Sequence, residues 1–542
     1  WAGRTGGQKP MRYTGGILGG TWLSSLVSDA GHGVFDGAYL IDNFENLNPS
    51  NTFWAKPYRL FSQIDTEAER YLAFDRWWSA PFYMTRQEMD WIVQNLFVGN
   101  RLSRAELPDP TSDGLINPRN IRSPIIVFAS AADNITPPPQ ALNWILDLYK
   151  DEEDLRLHEQ VIVYNIHQST GHLGIFVSAT VANREHSKLF NVLDLIELLP
   201  PGLYEACIDD LHPEMPFAEL VEGRHTIRFE PRQFDDLRAF DEGREDEEAF
   251  EVVERVAQIN QHVYDLAVSP LVRHVSTAWS AQALRLLHPK RASRYVWSSL
   301  NPFALAVMPL ATQAKAQRQP VVTANVFSDI EQWFNETMIR GWDTYRDIRD
   351  QSIEVAFQQI YGAPWLRAAL GLDNSHIAPQ HLLDRDIALQ NELKALRKQV
   401  SYLQINQGGS AAALARILIY MADKNSFVDE RAFNLLKRLS QEQVQGCQLP
   451  SLDTLKATLR EQWSVMQQYP EEAIAAIPKL VPSAQQRQLI WNAVAEIAEL
   501  HDLNNAPEVI QTRFATIACA LGLCSAWQPA KKKATKRRRS VK

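Results

Sequence analysis

The chain has 542 residues, 45% of them hydrophobic and 22% charged, with a net charge of −9. That length exceeds one ordinary core of about 100–200 residues and predicts several domains, while no apolar run approaches the about 18 residues of a membrane span. The acidic body argues against broad nucleic-acid binding by the folded part, and the segment after Trp1 has neither the basic start nor the apolar stretch of a secretory signal.

A chain that opens on Trp1 rather than Met predicts further residues upstream. The four cysteines, Cys207, Cys447, Cys519 and Cys524, form no CxxC pair and no short ladder, which predicts buried thiols in a reducing compartment, with neither a zinc site nor a disulfide staple.

From Trp1 to about Pro118 the sequence is rich in Trp, Asn, Pro and Gly and carries helical stretches at 66–78 and 85–97, the mark of an irregular helical insertion. Its Trp54, Trp77, Trp78 and Trp91 are candidates to line an apolar channel, although packing in core and lid is the blander reading of such large indoles. The period then changes. SPIIVFAS (123–130) is a continuous β-branched run, the signal of a parallel strand buried on both faces. A loop and an amphipathic helix at 140–150 follow, with Pro138 and Pro139 suited to its first turn. A second strand at 159–166 leads through HQSTGHLGIF to a helix at 186–199. Strand, loop, helix, twice over, predicts a doubly wound α/β core whose ligands sit beyond the carboxyl ends of its strands.

After Pro200 and Pro201 a small two-stranded unit is expected from 203–208 and 219–232, with Glu222-Gly223 as a turn. An acidic run (241–248) opens a long helical region. Within it Leu382, Leu389, Leu396 and Leu403 recur every seven residues, with Leu393 and Val400 between them and Asp386 on the seam; intrachain packing and a dimeric coiled coil both remain open. Gln407-Gly408-Gly409-Ser410 breaks that pattern, and a helical bundle ends the folded chain. The segment 422–433 groups Asp423, Asn425, Asp429 and Glu430 but lacks the glycine and terminal glutamate of a calcium loop, so helix capping by Ser426 or Asp429 is the preferred reading. The tail from Lys531 to Lys542 holds eight basic and no acidic residues, leaving −17 for the remainder, and has the composition of a disordered arm for non-specific nucleic acid or another anionic surface, or merely for solubility.

In α/β-hydrolases the triad runs nucleophile, acid, histidine, each on a loop after a strand. Asp133 and His172 fit the last two places. The histidine must take a proton through one ring nitrogen while a carboxylate fixes its tautomer through the other. By pattern alone, Asp133-Asn134 is equally a turn and helix start, and His172 a donor to a backbone carbonyl. His167 and His172, five apart, lack the further ligands a metal site needs.

The segment RNIRSPIIVFASAADNITPPPQALNWI (119–145) resembles the strand and Asp-X-Ile-X-Pro motif of polyhydroxyalkanoate synthases, and GHLGIF (171–176) resembles the turn around their catalytic histidine. FENLNPSNTFW (44–54) and FDRWW (74–78) are similar to their helical cap, and the C-terminal bundle is similar to TerB-like tellurite-resistance domains. The resemblance implies an α/β fold followed by mainly α: a cap-like insertion over 1–118, the C-terminal strands and helices of a hydrolase core over 119–200, a small β unit with a long helical region over 201–405, a TerB-like bundle over 406–527 and a disordered tail over 528–542. It implies acyl transfer from a 3-hydroxyacyl-CoA through a covalent acyl-enzyme, with His172 activating a cysteine and Asp133 orienting His172 or helping to activate the incoming hydroxyl. Some TerB-like domains leave Asp423 and Asp429 as metal candidates; no cofactor or other metal is expected.

No G-x-C-x-G or G-x-S-x-G occurs in the chain, so the elbow is expected upstream of Trp1 and these residues alone are expected to be inactive. Loss of such a nucleophile costs on the order of 10⁶ in kcat, about 8 kcal/mol. The alternatives are an ester or thioester hydrolase, in which water resolves the acyl-enzyme, and a non-catalytic scaffold with a relic fold. Expected partners are a 3-hydroxyacyl-CoA or another acyl ester, a polymer granule surface and a second copy of the chain; the expected location is the cytoplasm, at such granules.

Overall fold

The computed structural model describes residues 16–133, 135–172, 174–178, 181–240, 247–296, 298, 300–319, 325–372, 387–421, 428–444, 447–499 and 508–525. The basic tail, Asp423, Asn425, Ser426, Leu382 and Asp386 lie outside them. Among the described residues helix predominates, with one five-stranded mixed sheet and two short two-stranded sheets. The chain divides into two units: the first takes residues 1–116, 133–143 and 240–379, the second 117–132, 144–239 and 380–542.

In the first unit, strand β1 (Val34–Asp36) pairs antiparallel with β2 (Tyr83–Thr85). Thr85 then caps the helix Arg86–Ile92 through a capping box with Glu88, satisfying two otherwise orphaned donors. The helix Glu248–Val263 buries Phe250, Val253 and Ala257, one stripe at helical spacing, and lays it on the 36-residue helix Val326–Tyr361, where Phe250 and Phe357 rings meet at 4.8 Å between centroids. A polar knot joins the two stretches of chain. The buried Asp29 carboxylate accepts from Tyr264 Oη at 2.8 Å, Ser269 Oγ at 2.7 Å and Arg86 Nη1 at 3.0 Å. The expected cap-like 1–118 is therefore packed with 240–379, and the boundary at 118 separates less than the sequence implied. Trp77 and Trp91 are exposed rather than core, whereas the Trp54 and Trp78 indoles donate to Asn335 and Glu45.

In the second unit the sheet order is β3 (Ile125–Ser130), β4 (Val161–His167), β5 (Gly202–Asp210), β6 (His225–Pro231) and β7 (Val428–Asp429). The first three run parallel, and β6 pairs antiparallel with both β5 and β7. β4 is the strand buried on both faces, with Val161 to Asn165 all inside, while β3 is an edge strand among the described residues and leaves Ile126 partly exposed. β5 pairs with β4, so the expected boundary at 200–201 cuts through a single sheet. Alternation identifies a strand but does not say which neighbour it bonds. Gly223, with φ of 91°, reverses the chain just before β6 in a region that side chains rarely adopt.

The C-terminal helices belong to this same unit. β7 adds to the sheet, Phe433 packs beneath it, and the Lys188 ammonium meets the Glu430 carboxylate at 2.6 Å with both side chains buried. Burial pushes the Glu430 carboxyl up, and Lys188 offsets this only in part. Asp429 caps the helix Glu430–Gln441, as the capping reading expects. At the bundle centre the helix Gly409–Met421 buries Ala412 through Ile417 in succession. Its Arg416 is 0% exposed and donates to the carbonyls of Ile405, Ala473 and Gln404 and to Gln462 Oε1, at 2.7–3.1 Å. Thus a buried guanidinium closes the carbonyl ends of two neighbouring helices, and its burial lowers its pKa to about 10.

Of the two readings of the leucine stripe, packing within the chain is not seen among the described residues, and the expectation of four free thiols fails. Leu393, Leu396, Val400 and Leu403 are exposed on the helix Ile387–Gln404, which instead packs through the face of Ser401, hydrogen-bonded to Ser464. Cys519 and Cys524 are joined as a disulfide: Gly522, at φ of 77°, ends the helix Glu508–Ala520 in a tight reversal that brings their Cα atoms to 4.2 Å. Cys207 and Cys447 are free and half-buried, and burial pushes the Cys207 thiol up to about 11. No described helix is long and apolar enough to cross a membrane.

Candidate active site

β3 and β4 lie side by side and parallel, with Ser130 and His167 as register partners at their carboxyl ends. Asp133 follows Ser130 by three residues and His172 follows His167 by five, so each candidate sits on the loop leaving one of two neighbouring strands. The Ser130 hydroxyl is placed to donate to the carbonyls of His167, at 3.0 Å, and Thr170, while Ala131 N–H donates to His167 O at 2.9 Å. The carboxyl ends of the two strands are thereby stitched together.

His167 has a structural task. Its Nδ1 accepts the amides of Ser169 and Thr170 at 3.1 and 3.0 Å, which assigns the ring proton to Nε2, facing Glu185 Oε1 at 3.7 Å. Glu185 is itself buried, and its second oxygen has no hydrogen-bond partner among the described residues. His167 organises the turn that carries His172, which is half-buried. Among the described residues no group of three His, Cys, Asp or Glu side chains can hold a metal.

Asp133 is fully buried. Its Oδ1 accepts the amides of Ile135 and Thr136 at 2.8 and 2.9 Å, and its Oδ2 accepts the Thr136 hydroxyl at 2.6 Å. The turn expected of Asp133 is therefore present, and it fixes the carboxylate in one orientation. Asp133 opens the segment 133–143 that goes with the first unit, and His172 belongs to the second. At the opposite ends of the strands lies a residue the sequence reading passed over. Arg119, 5% exposed, presents Nε and Nη2 without hydrogen-bond partners among the described residues and stacks over Tyr149; burial lowers its pKa. Nothing in its neighbours' sequence marks it as buried.

The class these observations define is a mainly helical protein with a mixed sheet, whose candidate residues leave the carboxyl ends of adjacent parallel strands. Residues 1–404 match the family described as "Protein of unknown function (DUF3141)", and the chain belongs to that family. It is 42% identical, over 506 residues, to the "Uncharacterized protein in ackA 5'region" of Rhizobium meliloti; the match covers 92% of this chain and 68% of that protein. No solved structure matches.

Proposed function

We propose that this chain carries the acid and the histidine of an α/β-hydrolase-type acyltransferase resembling polyhydroxyalkanoate synthases. The observation that carries the reading is the placement of Asp133 and His172 after β3 and β4, parallel neighbours, in the order acid then histidine. The edge of β3, which bonds no other strand among the described residues, is a place for further strands of a hydrolase sheet to add. In this reading His172 takes the proton of a cysteine thiol as the thiolate attacks the thioester carbonyl. CoA leaves as its thiol with that proton. The hydroxyl of a second 3-hydroxyacyl group then gives its proton to His172 and attacks the acyl-enzyme, forming the ester and returning the cysteine. Asp133 takes the part of the acid. The nucleophile is not supplied by an elbow sequence in these residues. In this reading the C-terminal bundle is a TerB-like accessory domain and the protein works in the cytoplasm at polymer granules.

A second reading has one observation in its favour. Three hydrogen bonds tie the Asp133 carboxylate to its own turn, a structural task that a scaffold with a relic fold would equally need. Release of CoA from 3-hydroxybutyryl-CoA by the full gene product separates the two. Acyl transfer predicts that His172→Ala lowers kcat at least about 10³-fold. Asp133→Asn keeps an oxygen for the two turn amides but loses the charge, and should cost about 10²–10⁴-fold with the fold intact. Wild-type release no faster than that of both variants would leave the scaffold.

A further inference from the structure

In the first unit a cavity of about 200 Å³ opens between the helix Trp22–Ala30, β1 and the helix Ala278–Leu287. Leu26, Val27, Val34 and Leu284 make its walls apolar. Three ionisable groups also line it, besides Tyr39, and two are already paired. Asp36 is held by both forks of Arg291 at 2.8 Å, and His288 Nε2 faces Asp42 at 3.4 Å. Arg285 is the exception. One of its N–H groups donates to the Gly31 carbonyl at 2.6 Å and its guanidinium lies over the Tyr83 ring, but no carboxylate pairs with it among the described residues, and its Nε is buried without an acceptor. A buried donor left unmade is costly, and a guanidinium beside an apolar space is matched best by a carboxylate that takes two parallel N–H bonds. An engineered apolar cavity of about 150 Å³ in another protein holds benzene, so this one suits a body of about six carbons.

We propose that this cavity binds a short-chain monocarboxylate, with Arg285 receiving the carboxylate and the aliphatic chain lying against Leu26, Val27 and Leu284. The site is distinct from the Asp133 and His172 loops and does not rest on the acyl-transfer reading. Approach is set by backbone as well as charge: a Cβ on Gly31 would stand 2.1 Å from the Val34 carbonyl, so the turn that presents the Gly31 carbonyl to Arg285 requires glycine.

The test is calorimetric titration of the whole protein with hexanoate, and with 1-hexanol as the neutral probe of equal chain length. The expected result is saturable binding of one hexanoate per chain, with hexanol at least tenfold weaker. Arg285→Gln removes the charge, and Ala281→Leu, at a buried lining position, fills the space without touching it; each should weaken hexanoate at least tenfold while circular dichroism keeps its helical signal. Absence of saturation by hexanoate on folded wild-type protein would overturn the proposal. So would hexanol binding as tightly as the acid, or unchanged hexanoate affinity in either folded variant.

Discussion

Two apolar helices of similar length meet opposite fates. Gly409–Met421, in the second unit, buries seven residues including Arg416, whereas Pro302–Gln317, in the first, buries none and leaves Phe303 80% exposed, with Leu305, Met308 and Leu310 also exposed. Hydrophobic content is thus a poor guide to position. Side-chain size does not separate them, since both are rich in alanine; what differs is Pro309 inside the exposed helix and the partners waiting for the polar atoms of the buried one. Ala412, Ala413 and Ala415 let neighbouring helices close in on the first, and Arg416 satisfies the carbonyls that such close packing strands.

Arg416→Ala should sharpen this contrast most. It leaves the carbonyls of Gln404, Ile405 and Ala473 without their donor in a dry interior, and should cost about 3–5 kcal/mol, read by denaturant unfolding followed through hydrogen exchange of the helix Gly409–Met421. Phe357→Ala is the counterpart in the first unit. Its ring is fully buried against Phe250 and Tyr361, and its loss should cost about 3–4 kcal/mol, seen as weakened protection of the helix Glu248–Val263.

Two buried carboxyls, Glu430 in the second unit and Asp36 in the first, should also answer pH with opposite signs. Burial raises the Glu430 carboxyl above its ordinary 4.5, so its contribution is full below that value and is lost as pH rises through the raised one. For Asp36 burial also raises, but the Arg291 fork and the Ala38 amide outweigh it, so its contribution is present above the ordinary 3.8 and lost as pH falls through the lowered value. Each carboxylate accepts one backbone amide, Ile227 for Glu430 and Ala38 for Asp36. As pH rises above about 4.5 the Ile227 protection factor should fall and that of Ala38 should hold. The smallest effect is expected from Phe303→Ser, within about 0.5 kcal/mol, because so exposed a ring has little to lose.

The strands at 125–130 and 161–167 were legible because β-branched runs of that length admit few other structures, and so were the positions of Asp133 and His172 just beyond them. Pairing was not. Nothing local in 202–210 says that it bonds β4, or in 428–429 that it bonds β6. The packing of 1–116 with 240–379 depends on Asp29 meeting Tyr264 and Ser269 across more than two hundred residues, which no periodicity encodes. The heptad leucines left two readings open because spacing reports a stripe but not what faces it. The disulfide was missed because its geometry comes from a left-handed Gly522 rather than from cysteine spacing. Arg416 and Arg119 read as surface residues in sequence, since a basic side chain is ordinarily solvated.

The most direct test of the central claim is intact-mass detection of a covalent adduct after the full gene product meets 3-hydroxybutyryl-CoA. The account predicts an acyl mass on a cysteine in the wild type, absent in His172→Ala. No adduct under any condition in which His172→Ala and wild type remain folded, or an adduct that survives the substitution unchanged, would contradict it.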